Sequence, residues 1–427
     1  GDAREALLPV TLLITLIGLL SAYGFVLIGK VCAYTGAKSY KEAWAKSVSP
    51  KTSWIPNLSS LCVTFGSVVA FSIVLADMTS QLIKSVPIFG AAAASITRNQ
   101  ALLGITSSVL LPLCLMKKLS SLAPFSLVGI VGLVYTAIAM TIRLFDGSYR
   151  EGGQFFQHLQ QQQSSLSSFK LFHPSIFILI SMLSTAFMAH FNAPQLYLDL
   201  RQNTLPRYRR MVLISYSIAV LICIAIPCVG FMTFGQNSAS FVLSNYSTQD
   251  NLLSLGKLAC VVSLLFSYPL TFSGFRDDVK NTMGGLGVFH QQQQNEIVLK
   301  KQHQRQKSVA ISNSNDENIL YRLWYQHEQD ILTVILLTLV TGLAFWLRDV
   351  GFVLALNGAT AGNALTYLFP TFMFLNCAVQ QRKQQQNQNG SINSDTSFQR
   401  QIPLAVGTAI LGLVMGIIGT SEAIRRS

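Results

Sequence analysis

Ser181 to Arg210 holds the densest set of groups able to bind something. Ser184, Thr185, His190 and Asn192 interrupt an apolar run, Pro194 follows, and four arginines close the stretch. A helix running into Pro194 lacks one backbone donor and clashes one turn back, so carbonyls of the Ala186 to His190 turn are left seeking partners. In hydrocarbon each such group costs several kcal/mol unless protein, water or a ligand meets it. The stretch is therefore either a binding site or a proline-kinked helix satisfied by its neighbours, with His190 a buried polar tie.

Other polar and small residues in apolar runs carry narrower chemistry. Ser263 and Ser267 sit four apart on one helical face just before Pro269, where hydroxyls and freed carbonyls can coordinate an alkali cation or tie two helices together. Thr64, Gly66, Ser67 and Ser72 form a polar seam with Asp77 near its outer end. An acid at that depth is functional, facing a partner or a water-filled path, or it is an interfacial cap. Gly358-x-x-x-Gly362 lets a second helix approach closely, with Asn357, Thr360 and Asn363 around it, and packing is the expected role. Neither paired intramembrane carboxylates nor H-E-x-x-H, Walker A or Cys/His signatures occur in the sequence, so no enzyme is expected.

The elements that must position these groups are membrane spans. Half the residues are hydrophobic, 11% are charged, and apolar runs recur at spanning length, which makes the chain an all-α polytopic membrane protein. Ten spans are expected, at 7–29, 58–83, 100–116, 122–144, 175–198, 211–234, 252–274, 331–347, 352–376 and 402–420, the third and eighth being short. The loops after the odd-numbered spans hold about two thirds of the 31 Lys and Arg, and the alternate loops hold few. By the positive-inside rule the rich loops are cytoplasmic, so the chain as given is expected to begin and end outside. The net charge of +13 is thereby explained by topology and not by a nucleic-acid partner. Gly1 and the polar residues after it suggest a processed or truncated N-terminus.

Polar loops 146–173, 277–328 and 380–400 are Gln- and Ser-rich and read as linkers without a core. Asn245, in Asn-Tyr-Ser, is the one N-x-[ST] match on an outside loop and so the one eligible for a glycan. The seven cysteines lie in or beside apolar segments and read as small buried hydrophobes, with no disulfide or metal site expected. Broken spans with small-residue packing in a bundle of about ten helices point to a secondary transporter.

Several motifs together resemble the amino acid/auxin permease family, in its neutral, system A/N-like branch. They are TGAKSYKEAW after the first span, VTFGSVVAFSIVLADM in the second and HFNAPQLYLDL in the fifth, GFMTFG ending the sixth, LLFSYPLTFSGFRDDV in the seventh and LNGATAGNALTYLFP in the ninth. The resemblance implies a LeuT-type inverted-repeat bundle of eleven helices, of which the ten spans would be the second to the eleventh. Residues 1–145 would then be the rest of the first repeat, 174–276 and 329–379 the second, and 401–427 the final span and tail, with 146–173, 277–328 and 380–400 as loops. The fifth span would be a helix broken at the substrate.

The resemblance further implies an amino-acid substrate, ion coupling and lipid surroundings, with no other cofactor. A zwitterion needs its carboxylate met by helix N-terminal N–H groups and its ammonium by exposed carbonyls. Ser184, Thr185, His190, Asn192 and Thr64 are the expected substrate contacts. Ser263, Ser267 and Asp77 are the expected coupling residues, Ser267 as a sodium ligand, with His190 or Asp77 as the alternative if the ion is a proton. A sensor or scaffold on the same fold, its loop 277–328 binding a cytoplasmic partner, is the second reading. Plasma, vacuolar and lysosomal membranes all remain open.

Overall fold

The computed structural model describes residues 2–85, 95–116, 125–156, 176–285, 315–387 and 396–425, and among them every regular element is helical. In hydrocarbon this follows from the backbone, whose polar groups a long apolar helix satisfies within itself. In chain order the helices are α1 (Asp2–Thr35), α2 (Tyr40–Ser47), α3 (Trp54–Ser85), α4 (Arg98–Ile105), α5 (Leu111–Leu115), α6 (Phe125–Asp146), α7 (Ile176–Ala186) and α8 (Ala193–Asp199). They continue with α9 (Leu205–Phe234), α10 (Asn251–Gly285), α11 (Asn315–Trp346), α12 (Val350–Asn357), α13 (Phe369–Asn387) and α14 (Thr396–Arg425).

Among the described residues nine helical stretches are long and apolar enough to cross a membrane, and they coincide with nine of the ten expected spans. The stretch expected at 100–116 is helical but falls outside the nine. It starts on Arg98, Asn99 and Gln100, and it is divided by a π turn at Thr106–Leu110 between α4 and α5. A capping box at Thr97 and Gln100 fixes its first turn. Residues 122–124 and 175, at the ends of two expected spans, and residues 157–173, 286–314 and 388–395 of the linkers, which include the middle of the loop assigned a cytoplasmic partner and Asn389, lie outside the described residues.

The expected linkers are more structured than the sequence suggests, and 380–400 is helical through Asn387 and again from Thr396. Helix α10 continues through Gly285 and α11 begins at Asn315, so both ends of loop 277–328 are helical. On the outer side, Tyr149 and Phe155 are buried, and Tyr149 packs edge-on against Phe234 and Tyr246, so the start of loop 146–173 does contribute to a core. Asn245, expected to be eligible for a glycan, is buried, with its amide accepting from the Ala239 N–H at 2.8 Å and donating to the Asn237 carbonyl at 2.9 Å. A glycan there would require that loop to open.

Packing divides the bundle into two main groups. In one, α10 lies along α3 and α6, with α11 and α12 completing an apolar cluster around Ile73, Leu75, Phe272 and Val340. In the other, α1 lies along α9 and α13 around Phe25, Ile28, Tyr208 and Phe374. Apolar side chains such as Leu127, Val131, Leu221 and Ile417 point outward, as expected where the surrounding solvent is lipid. The broken stretch α7–α8 joins α1 to α12 and α14.

Candidate functional site

The fault expected near Pro194 is present, one turn earlier than the proline. Helix α7 ends at Ala186, Ala189 leaves the helical region at φ −137° and ψ 10°, a single 3-10 turn spans His190–Asn192, and α8 starts at Ala193. Pro194 lies in the first turn of α8, where its missing N–H has no partner to lose. Neighbours take up part of the freed backbone. The Phe187 carbonyl accepts from the Tyr216 hydroxyl at 3.1 Å, and the Met188 N–H reaches the Thr185 carbonyl at 3.2 Å.

Side chains around the break form a connected polar chain. Ser184 donates to the Ile180 carbonyl at 3.0 Å and lies 3.4 Å from the Tyr367 hydroxyl, which lies 3.2 Å from the Ser21 hydroxyl. His190 is fully buried, with Nε2 at 2.9 Å from the Ser21 carbonyl and its ring edge-on to Phe25. A carbonyl only accepts, so Nε2 carries the hydrogen, and in the neutral ring Nδ1 is left as an acceptor. That Nδ1 is buried without a partner, as is the Thr366 hydroxyl. Both residues flank Gly24, where a Cβ would press on the Thr366 carbonyl and lie 3.2 Å from His190 Nε2. Glycine there is what lets α1 approach the break.

Thr185 donates to the Leu354 carbonyl at 2.8 Å. A Cβ at Gly358 would collide with the Ser181 carbonyl and sit 2.5 Å from the Thr185 hydroxyl, and one at Gly362 would lie 3.3 Å from Met188 Sδ. The Gly358–Gly362 segment is a π turn pressed against the broken helix, with a second π turn at Ala364–Leu368 carrying Tyr367 and Thr366. π turns concentrate at functional sites because they re-aim side chains without ending the helix.

The structure does not gather every expected residue at this point. The Asn192 side chain is exposed. Thr64 lies 3.0 Å from the Ser60 carbonyl and 3.2 Å from Asp278 Oδ2, on the seam between α3 and α10. Asp77 is paired with Arg98 at 2.5 Å, and Arg98 also donates to the Ala344 carbonyl at 3.0 Å. Ser263 faces α6, where a Cβ on Gly129 would lie 2.5 Å from its hydroxyl, and Ser267 precedes Tyr268, whose hydroxyl lies 3.0 Å from Ser72. Ser21, Thr366, Tyr367 and Asp278 were missed as chemistry. Tyr367 and Asp278 stand in motifs that carried the family resemblance, and nothing in their spacing marks the partners they meet.

A second polar cluster clasps the outer end. Arg143 makes two 2.8 Å contacts with Asp250 and one of 2.7 Å with Asp146, and the Tyr149 hydroxyl donates to Asp250 at 3.1 Å. Burial, helped by the Asp250 charge, pushes the Tyr149 phenol well above its ordinary value, and burial pushes Tyr246 up to about 12. Both therefore stay neutral, and Tyr149 remains a donor to Asp250.

A multi-pass helical bundle with a span broken around buried polar groups is the architecture of a membrane carrier. The model of the transmembrane amino acid transporter protein family matches residues 7–394, and the chain belongs to that family. Its members are transporters and not enzymes, with amino acids as substrates and lipid as surroundings, so the protein is an integral multi-pass membrane protein. The human "Putative sodium-coupled neutral amino acid transporter 11" is 21% identical, covering 96% of this chain and 88% of the human protein. Vacuolar amino acid transporter 5 of Saccharomyces cerevisiae is 23% identical over 85% of this chain and 81% of its own length.

Proposed function

We propose that the protein is an ion-coupled symporter of neutral amino acids, working by alternating access on an inverted-repeat bundle, with its substrate held at the break between α7 and α8. The observation that carries this is a pair of buried, unpartnered groups, the His190 Nδ1 acceptor and the Thr366 hydroxyl, on the two residues whose Nε2 and carbonyl flank Gly24. An unpaired buried polar atom costs about 1–3 kcal/mol, so two of opposite character beside a broken helix call for a ligand of matching character. A zwitterion supplies it. Its ammonium donates to Nδ1 and to the carbonyls of the break, and its carboxylate accepts from Thr366. Ser184 and Tyr367 hold His190 in place through Ser21, and the α12 side of the site, pinned by Thr185 and Gly358, is the wall that must rock for access to alternate.

The names of the relatives support neutral amino acids and, for some, sodium. Coupling by sodium through Ser267 and coupling by a proton demand different inward gradients, of sodium in the one case and of protons in the other. Uptake of radiolabelled neutral L-amino acids into proteoliposomes tests the whole reading: the tracer should accumulate above equilibrium only with an inward ion gradient, and its exchange should persist without one. Binding with no flux in either direction would replace the symporter with a sensor.

A further inference from the structure

On the seam between α3 and α10, at the end flanked by the basic loops, Asp278 presents a carboxylate to two hydroxyls of the facing helix. Ser60 donates to its Oδ2 at 2.8 Å, and Thr64 lies 3.2 Å from the same atom. One turn further on, the Asn57 amide donates to the Thr282 hydroxyl at 2.8 Å, and that hydroxyl donates to the Asp278 carbonyl at 2.8 Å. Among the described residues, Asp278 is paired with hydroxyls and with no Lys, Arg or His. Of the charged groups near it, Asp277 and Lys280 stand on other faces of the same helix, and Arg276 turns to the Thr333 hydroxyl of α11 at 2.9 Å and to the Cys114 carbonyl of α5. The α3 face opposite offers Asn57, Ser60 and Thr64, none of which titrates.

We propose that Asp278 is a proton-binding residue of the transport cycle, taking up one proton on one side and releasing it on the other. The inference rests on the transport reading above. An ionised carboxylate only accepts, and it gains a donor when protonated. The added O–H would face a hydroxyl that is itself donating, so one of the two must turn away. Thr64 has somewhere to turn, since the Ser60 and Leu61 carbonyls already lie 3.0 and 3.2 Å from its hydroxyl. The seam thus has two hydrogen-bonded arrangements, one per protonation state. Charge-assisted bonds are about twice as strong as neutral ones, so the protonated arrangement ties α3 to α10 more weakly. No electrons move, and the proton that enters is the proton that leaves. A sodium ion is a poorer fit. It needs several inward-facing oxygens, while both helices run unbroken here with their carbonyls engaged, and the Ser60 hydroxyl directs its hydrogen at the acid.

The test uses the full chain in liposomes with a mixture of radiolabelled neutral L-amino acids, wild type beside Asp278→Asn and Asp278→Glu. Wild type should concentrate tracer under an inward proton gradient and exchange it without one. Asp278→Asn should lose accumulation by about tenfold or more while exchange falls less than about threefold, and Asp278→Glu should restore accumulation with a displaced pH profile. Asp278→Asn vesicles that accumulate like wild type overturn the inference, as does equal loss of exchange in both variants, the mark of a mere helix tie. Wild-type accumulation that follows sodium and ignores protons also overturns it and leaves the transporter standing. Wild-type vesicles that neither exchange nor accumulate overturn the transport reading, and this inference with it.

Discussion

Thr185 and His190 lie on either side of the break and do different work. The Thr185 hydroxyl is spent on the Leu354 carbonyl and packed beside Gly358, so it ties α7 to α12. Thr185→Val keeps the shape and removes the bond, and should cost about 1 kcal/mol of stability. A thermal melt should record a lower midpoint, with the further rise on adding amino acid unchanged. If that rise disappears, Thr185 touches the substrate and not just the neighbouring helix. Asp77 follows the same logic at the outer end. The sequence left open whether it was a coupling acid or a cap, and its pairing with Arg98 satisfies an acid at that depth without a water path.

At the scale of the element, the break was legible and its cause was not. Pro194 pointed to a fault because proline removes a donor, yet the chain resolves the problem by starting α8 there and placing the irregular residues at 187–189. A proline in a first turn contributes mainly its fixed φ. Pro194→Ala should therefore shift stability by no more than about 1 kcal/mol and leave amino-acid-induced stabilisation in place. A helix rejoined across 187–189, seen as loss of that stabilisation with the protein still folded, would restore the proline as the cause. The spans themselves were readable because twenty apolar residues have few alternatives in lipid. The 98–115 stretch was less so, since its polar start and its π turn depend on what packs around it. The partners Ser60 and Thr64 of Asp278, more than two hundred residues away in sequence, are set by how α3 meets α10, which no local pattern encodes.

In the whole molecule, the outer clasp and the central break sit on different helices. Arg143 joins the end of α6 to the start of α10 through Asp250, a carboxylate with no exposed surface, while the break is framed by α1, α12 and the π turns. Truncating one partner of a buried pair leaves the other charge uncompensated, so Arg143→Ala should destabilise by about 3–5 kcal/mol. Chemical denaturation in detergent measures that loss, and the amino-acid affinity of the folded fraction should be unchanged. A changed affinity would mean that the clasp and the break move as one body.

The claim on which the rest depends is that an amino acid binds at His190. Thermal stabilisation of the purified full chain by a panel of neutral L-amino acids, compared in wild type and His190→Ala, tests it most directly, because stabilisation grows with the logarithm of ligand concentration over the dissociation constant. At least one amino acid should raise the wild-type midpoint in a saturable way, and His190→Ala should need about ten- to a hundredfold more of it, the weight of one hydrogen bond to a charged group. Equal stabilisation of both proteins, at the same concentrations, would contradict the account and move the substrate away from the broken helix.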